Sequence, residues 1–351
     1  MQLPDMARLL PWYEQNARKL PWRETRDPYC IWVSEIMLQQ TRVEAVIPYY
    51  HRFLERLPDV CALADCPEDE LMKLWEGLGY YSRVRNMQKA AKIIKQQYGG
   101  QFPRNFDEIL ALPGIGDYTA GAIASFAFDL PYPAVDGNVL RVTARLLAFG
   151  EDVLAPASKK QLTAAVAAAQ PKERAACYNQ AMIELGATVC LPNGVPKCES
   201  CPLADRCFAR QKGMETALPV RKKAAPRRVE ERTVLILRAG DRIALRQRPA
   251  TGLLAGLYEP FAYLGKQTAT QVTAMLGDCG IVPLRVTPLE EARHIFSHLE
   301  WHMVAFEVIL DDENAATVCK NLDKTLFFSP GYEIDSTYAL PSAYAAYRPY
   351  M

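Results

Sequence analysis

No stretch of this sequence is long and apolar enough to cross a membrane. Residues 1–23 carry no apolar signal core, so the chain reads as cytosolic. Surplus charge is also lacking: 41 Lys and Arg face 40 Asp and Glu, a net of +1. That excludes a protein held to a polyanion by its overall field; any nucleic-acid contact must come from local basic patches. Convincing β alternation is missing from residues 1–212. What is present is 351 residues, half of them hydrophobic, enough for two domains with proper cores.

In place of strands, apolar residues recur at helical spacing over 6–16, 29–40, 43–57, 68–76, 84–97, 106–112, 118–128, 137–148, 158–169 and 174–188. Residues 1–212 are therefore expected to form one compact all-α domain. Residues 213–232 hold six Lys or Arg against three Asp or Glu, with Pro219, Pro226 and Arg221-Lys222-Lys223. They read as a basic interdomain linker, either merely solvated or lying against an anion. Residues 233–351 change character. Strands are expected at 233–238, 242–248, about 284–289 and 299–310, and helices at about 269–276 and 341–350, which makes an α+β domain.

Four stretches carry chemistry. From Tyr29 to Leu38 the only ionisable residue is Glu35, on a helix face shared with Ile31 and Leu38. Partial desolvation there raises a carboxyl pKa and suits a general acid; the alternative is a rim carboxylate reaching water or an Arg. Gln39, Gln40 and Thr41 follow, with amides able to bond base edges. Gly77-Leu-Gly-Tyr80-Tyr81 sets two tyrosines on a glycine turn before Arg83 and Arg85, a wedge with phosphate neutralisers or simply core rings and solvated cations. Leu112-Pro-Gly114-Ile-Gly116-Asp-Tyr118 is a tight turn opening into a helix, either a plain corner or a phosphate grip built from free N–H groups. About twenty residues later, Asp136 sits where a helix starts and reads as its N-cap, with a sugar-facing role open to it.

Six of the ten cysteines are scattered, but Cys190, Cys198, Cys201 and Cys207 fall within 18 residues. In a reducing compartment such a loop is a metal site or cluster rather than a pair of disulfides. One Cys-x2-Cys knuckle with two longer, unequal spacings favours a [4Fe–4S] cluster over structural zinc.

Together these features resemble the helix-hairpin-helix DNA glycosylases. Ser34-Glu35-Ile-Met-Leu-Gln-Gln40-Thr41, Gly77-Leu-Gly-Tyr-Tyr81, Leu112-Pro-Gly-Ile-Gly116, Asp136-Gly-Asn-Val139 and Phe296-Ser297-His298 resemble the MutY-type adenine glycosylases nearly end to end. The resemblance implies a monomeric repair enzyme of the bacterial cytosol, associated with the nucleoid while it scans DNA. Its partner would be double-stranded DNA holding 8-oxoguanine:adenine or guanine:adenine mispairs, from which it removes adenine. Glu35 would protonate the flipped base. Asp136 would stabilise the oxocarbenium-like sugar, assisted by Tyr118 and Asn138. Arg18, Trp22, Arg23 and Glu184 would surround the adenine pocket. Gln40, Tyr80, Phe296, Ser297 and His298 would face the 8-oxoguanine side. Thr41, Gly114 and Gly116 join the DNA-contacting set, with a monovalent cation at the hairpin and one [4Fe–4S] cluster on the four cysteines.

Departures from the relatives sharpen this. The bifunctional relatives similar to endonuclease III carry a hairpin lysine that forms a Schiff base; here Tyr118 stands there, which implies a monofunctional enzyme. The C-terminal region resembles a Nudix domain, yet residues 252–280 lack the Glu-rich box that holds magnesium, so it is expected to read the lesion rather than hydrolyse nucleotides. Seven residues separate Cys190 from Cys198 where the family usually has six. The alternatives are a bifunctional glycosylase/lyase on oxidised pyrimidines, a non-catalytic iron–sulfur DNA-binding protein, and a nucleotide hydrolase.

Overall fold

A computed structural model describes residues 1–222 and 226–351; Lys223, part of the basic linker read from the sequence, lies outside the described residues. The chain divides into two compact units, Met1–Asp65 with Arg85–Ala224 and Cys66–Val84 with Ala225–Met351.

The first unit is helical. Its elements are α1 (Leu9–Asn16), α2 (Pro28–Met37), α3 (Val43–Arg56), α4 (Val60–Asp65) and, after α5 (Glu68–Leu74) of the other unit, α6 (Ser82–Gln97), α7 (Phe106–Leu110), α8 (Asp117–Phe128), α9 (Gly137–Leu146), α10 (Pro156–Ala169), α11 (Ala175–Thr188) and α12 (Phe208–Gln211). Helix α2 begins with Pro28 at its first position and the Asp27 carboxylate accepting the Tyr29 N–H at 2.8 Å. It is buried almost all round because it is apolar all round. It packs against α8, whose run of Ala120, Gly121, Ala122 and Ala124 lets neighbours come close. A Cβ on Gly121 would lie 2.2 Å from the Pro133 carbonyl oxygen, so no other residue fits there. The chain then runs to α9 through a loop pinned by Asn179, which accepts the Ala134 N–H and donates to the Tyr132 carbonyl.

The second unit holds a seven-stranded mixed sheet: β1 (Arg228–Ala239), β2 (Arg242–Gln247), β3 (Tyr258–Glu259), β4 (Phe261–Leu264), β5 (Arg285–Ile295), β6 (Leu299–Leu310) and β7 (Leu326–Pro330). The order is β3-β2-β1-β6-β5, with β4 also on β1 and β7 on β2. Strand β1 runs parallel to β6 from Arg228↔Leu299 to Ala239↔Leu310, and the other pairs are antiparallel. Alternation along β1 splits the core. Leu235, Leu237 and Ala239 face a cluster with Val272 and Leu276 of α13 (Ala269–Asp278) and Ala315 of α14 (Asp312–Thr317). Val234 and Ile236 face Trp301, Ile334 of α15 (Gly331–Thr337) and Tyr344.

Two local features differ from the sequence reading. Strand β1 begins at Arg228, inside the stretch read as linker, because pairing with β6 carries a segment whose composition is polar. Residues 66–84, read as part of the helical domain, group with the sheet unit. The terminal helix expected at about 341–350 is present, as a 3₁₀ helix over Ser342–Tyr350. Tyr344 and Tyr347, three apart and both buried, suit its three-residue turn.

Candidate active site and cysteine loop

Helix α2 carries Glu35 into the interior, where it is 6% exposed among apolar neighbours. Burial pushes its carboxyl up to about 7, the Tyr118 hydrogen bond opposes the rise, and the charge of Asp136 adds to it. Tyr118, at the start of α8, donates its hydroxyl to Glu35 Oε2 at 2.6 Å. Its own ionisation is pushed well above the ordinary value, by burial first and by Glu35 second, so it stays a donor. Both residues line a cavity whose other walls include Trp22, Arg18, Arg23, Leu38 and Phe126.

Asp136 caps α9. Its Oδ1 accepts the Val139 N–H at 2.8 Å, and its Oδ2 accepts Asn138 Nδ2 at 2.7 Å. Burial raises its pKa while those hydrogen bonds pull it down. The charge of Asp136 raises the pKa of both Glu35 and Tyr118. Asn138 is held in turn, its Oδ1 accepting Arg141 Nη2 at 2.8 Å. A Cβ on Gly186 of α11 would lie 2.6 Å from the Asn138 Cβ, so glycine is what lets the two helices close here.

Glu184 is fully buried and held by two guanidinium groups. Arg18 donates Nε at 2.8 Å and Nη2 at 3.0 Å, and Arg23 donates Nη2 at 2.7 Å. Burial alone would raise Glu184, but these donors outweigh it and hold the carboxyl below its usual range. Glu184 therefore does not line the cavity itself; it aims the two arginines that do. Trp22 is buried edge-on against Tyr50, with ring centroids 5.4 Å apart.

The hairpin turns at Gly114, with φ of 78°, and a Cβ there would lie 2.6 Å from the Asn86 Cβ. Gly116 precedes α8 as its N-cap, and both glycines are exposed. Gln40 is exposed with φ of 60°, and Thr41 follows it half-buried.

In the sheet unit, Tyr80 is exposed and its hydroxyl lies 2.8 Å from Ser297 Oγ. Phe296 packs edge-on against Trp301 at 4.8 Å, while Ser297 and His298 are exposed in the turn between β5 and β6. The sequence reading assigned Tyr80 to the helical part; the structure sets it against the β5–β6 turn.

The four cysteines line one small pocket with apolar walls from Val142, Leu146, Leu185 and Val189. Burial lifts the Cys201 thiol to about 12. Arg145 donates Nη1 to Cys190 Sγ at 3.2 Å and to the Leu191 carbonyl at 2.9 Å. Among the described residues no three His, Cys, Asp or Glu side chains gather closely enough to hold a single metal ion. A donor set of four thiols with no nitrogen or carboxylate partner suits an iron–sulfur cluster or a structural zinc.

One residue escaped the sequence reading. Arg141 donates to Asn138, to the Gly186 carbonyl at 2.9 Å and to the Cys190 carbonyl at 2.8 Å. A single buried guanidinium thus ties the Asp136 motif to the first cysteine. Its only sequence signal is a cation on the apolar face of α9.

Comparison with known proteins agrees with this picture. Residues 33–168 match the HhH-GPD superfamily of base excision DNA repair proteins, and residues 232–347 match the NUDIX domain. Adenine DNA glycosylase of Mus musculus is 37% identical over 369 residues, covering 89% of this chain and 72% of that protein. The enzyme of that name from Buchnera aphidicola subsp. Baizongia pistaciae is 36% identical, covering 92% of this chain and 90% of that one. Among solved structures, a thermostable thymine-DNA glycosylase superposes with a TM-score of 0.55 at 30% identity, over 59% of this chain and 95% of that one. Endonuclease III in a trapped covalent DNA intermediate gives 0.51 at 27%, over 60% and 95%. The helical unit carries the glycosylase fold and the sheet unit is Nudix-like. With two such relatives matched over most of their length, this chain belongs to the adenine DNA glycosylases, N-glycosylases of base excision repair.

Proposed function

We propose that this glycosylase removes adenine paired with 8-oxoguanine, and more weakly adenine paired with guanine, and stops at the abasic site. The observation that carries this is the buried Glu35 carboxyl, pushed up to about 7 and bonded to Tyr118 in a cavity walled by Trp22, Arg18 and Arg23. Adenine is a poor leaving group until it is protonated. A carboxylic acid half-protonated near neutral pH supplies that proton. The target base must leave the duplex stack to reach it.

As the N-glycosidic bond breaks, positive charge grows on the sugar. Asp136, oriented by Val139 and Asn138, supplies the counter-charge, the second carboxylate that glycoside chemistry requires. Tyr118 holds Glu35 Oε2 and, having no amine, gives no Schiff base. The exposed hairpin at Gly114 and Gly116 grips the DNA backbone and would hold a monovalent cation there. Gln40 and Thr41 contact the opposite strand. Tyr80, Phe296, Ser297 and His298 read the 8-oxoguanine, Ser297 being short enough to bond the modified purine edge.

Cys190, Cys198, Cys201 and Cys207 would hold a [4Fe–4S] cluster, on the loop that Arg141 and Arg145 tie to α9. The protein acts as a monomer on double-stranded DNA in the cytosol. Single-turnover release of free adenine from duplexes with adenine opposite 8-oxoguanine, guanine, cytosine or thymine tests the reading. Release fastest opposite 8-oxoguanine supports it; equal release from all four contradicts it.

A further inference from the structure

Glu76 lies just past α5 and gathers three donors. Lys73 Nζ lies at 2.5 Å, the Leu340 backbone N–H at 3.1 Å, and Arg348 Nη2 pairs with the same carboxylate. Lys73 also donates to the Tyr338 carbonyl at 3.1 Å, and Arg348 pairs with Asp335 as well. The end of α5 is thereby fixed to the segment 335–348. The Glu76 side chain is 17% exposed, so its ion pairs are only partly screened.

The loop that leaves Glu76 is strained and tightly bound. Gly77, Gly79 and Tyr80 have φ of 95°, 68° and 47°. A tyrosine at positive φ is strained and persists only where its surroundings fix it. Here Trp75 Nε1 donates to the Gly79 carbonyl at 3.1 Å, and Arg83 donates to the Leu78 and Gly79 carbonyls at 2.9 and 3.1 Å. The Arg83 guanidinium also lies over the Trp75 and Tyr80 rings, at 5.3 and 5.6 Å. The loop ends with the Tyr80 hydroxyl on Ser297 Oγ.

A second route joins the same two ends. The 3₁₀ helix that carries Arg348 also carries Tyr344, whose ring lies 6.1 Å from Trp301, and Trp301 packs on Phe296 beside Ser297. Glu76 therefore closes a circuit: one arm runs through the glycine loop to Tyr80, the other through Arg348, Tyr344, Trp301 and Phe296 to Ser297. We infer that Glu76 is a positioning residue for base discrimination, fixing where Tyr80 meets Ser297 by tying the tyrosine loop to the C-terminal 3₁₀ helix. This rests on the proposal that Tyr80 and Ser297 read the base opposite the excised adenine. Glu76 touches neither strand nor substrate; it acts through the loop it anchors.

The test is single-turnover adenine excision from 8-oxoguanine:adenine and guanine:adenine duplexes by the full chain, its Glu76→Ala and Glu76→Gln variants, with thermal melting of each. Glu76→Ala is expected to cut the preference for the 8-oxoguanine duplex by roughly tenfold, the size of one lost charge-assisted hydrogen bond, with the guanine duplex near wild type. Glu76→Gln recovers part of the preference, because its amide oxygen still accepts the Leu340 N–H. Arg348→Gln, which leaves Glu76 intact, gives a smaller loss in the same direction and serves if Glu76→Ala does not fold. An unchanged preference in Glu76→Ala, or an equal fall on both duplexes, overturns the inference. A wild-type enzyme with no preference instead overturns the lesion-reading proposal beneath it.

Discussion

The Tyr118 hydroxyl donates to Glu35 Oε2 at 2.6 Å, joining the first residues of α8 to the one carboxyl buried in α2. The hairpin that would hold DNA and the acid that would protonate adenine are therefore one mechanical piece. A substitution at either residue should be felt at the other.

Glu35→Gln removes the proton source and keeps the shape. Excision should fall by at least about a hundredfold while duplex binding stays. Single-turnover excision and a binding titration check this, and full activity in the variant removes Glu35 from the chemistry.

The same group makes stability depend on pH. Glu35 has a folded pKa raised from 4.5 to about 7, so its contribution is fully favourable below 4.5 and is lost as pH rises through about 7. Above that, keeping the carboxylate buried costs about 3 kcal/mol. Glu35→Gln should accordingly melt higher than wild type at pH 8 and about equally at pH 4. The reverse order at pH 8 would show that the carboxylate is stabilised where it sits.

Tyr118→Phe deletes a hydrogen bond that lowers the Glu35 pKa. The fall of rate with rising pH should therefore move to higher pH, and the rate at pH 7 should drop by roughly tenfold as the acid loses its aim. A pH–rate profile under single-turnover conditions separates the two effects.

Asp136→Asn should cost about a hundredfold or more, because the developing sugar cation loses its counter-charge. The amide oxygen can keep the cap hydrogen bond to Val139, but the amide nitrogen then faces Asn138 Nδ2, so stability to melting should fall by about 1 kcal/mol. Wild-type rates in this variant would leave Asp136 as a helix cap alone.

Ser297→Ala with His298→Ala should reduce the preference for 8-oxoguanine over guanine by roughly tenfold without abolishing excision. An unchanged ratio removes the β5–β6 turn from base reading.

Much of the site is legible in the sequence, for identifiable reasons. Glu35 stands out because it is the single acidic residue in an apolar helix, and the four cysteines because they crowd one loop. Asp136 shows itself as a cap because caps follow local rules. Arg141 does not show itself, since its partners Gly186 and Cys190 are brought in by packing of α9 against α11. The union of α5 and the tyrosine loop with the sheet unit is equally hidden. It depends on Glu76 meeting Leu340 and Arg348, more than 260 residues further along the chain. Strand β1 is missed at Arg228 because its first residues are polar and its partner β6 lies some seventy positions on.

The central claim is that a buried acid releases adenine and that no amine then cuts the strand. It is tested most directly by incubating wild-type protein with an 8-oxoguanine:adenine duplex and measuring strand breaks with and without alkali, alongside borohydride trapping. The account predicts free adenine, breaks only after alkali, and no trapped adduct. Breaks without alkali, or a covalent adduct in high yield, would contradict it.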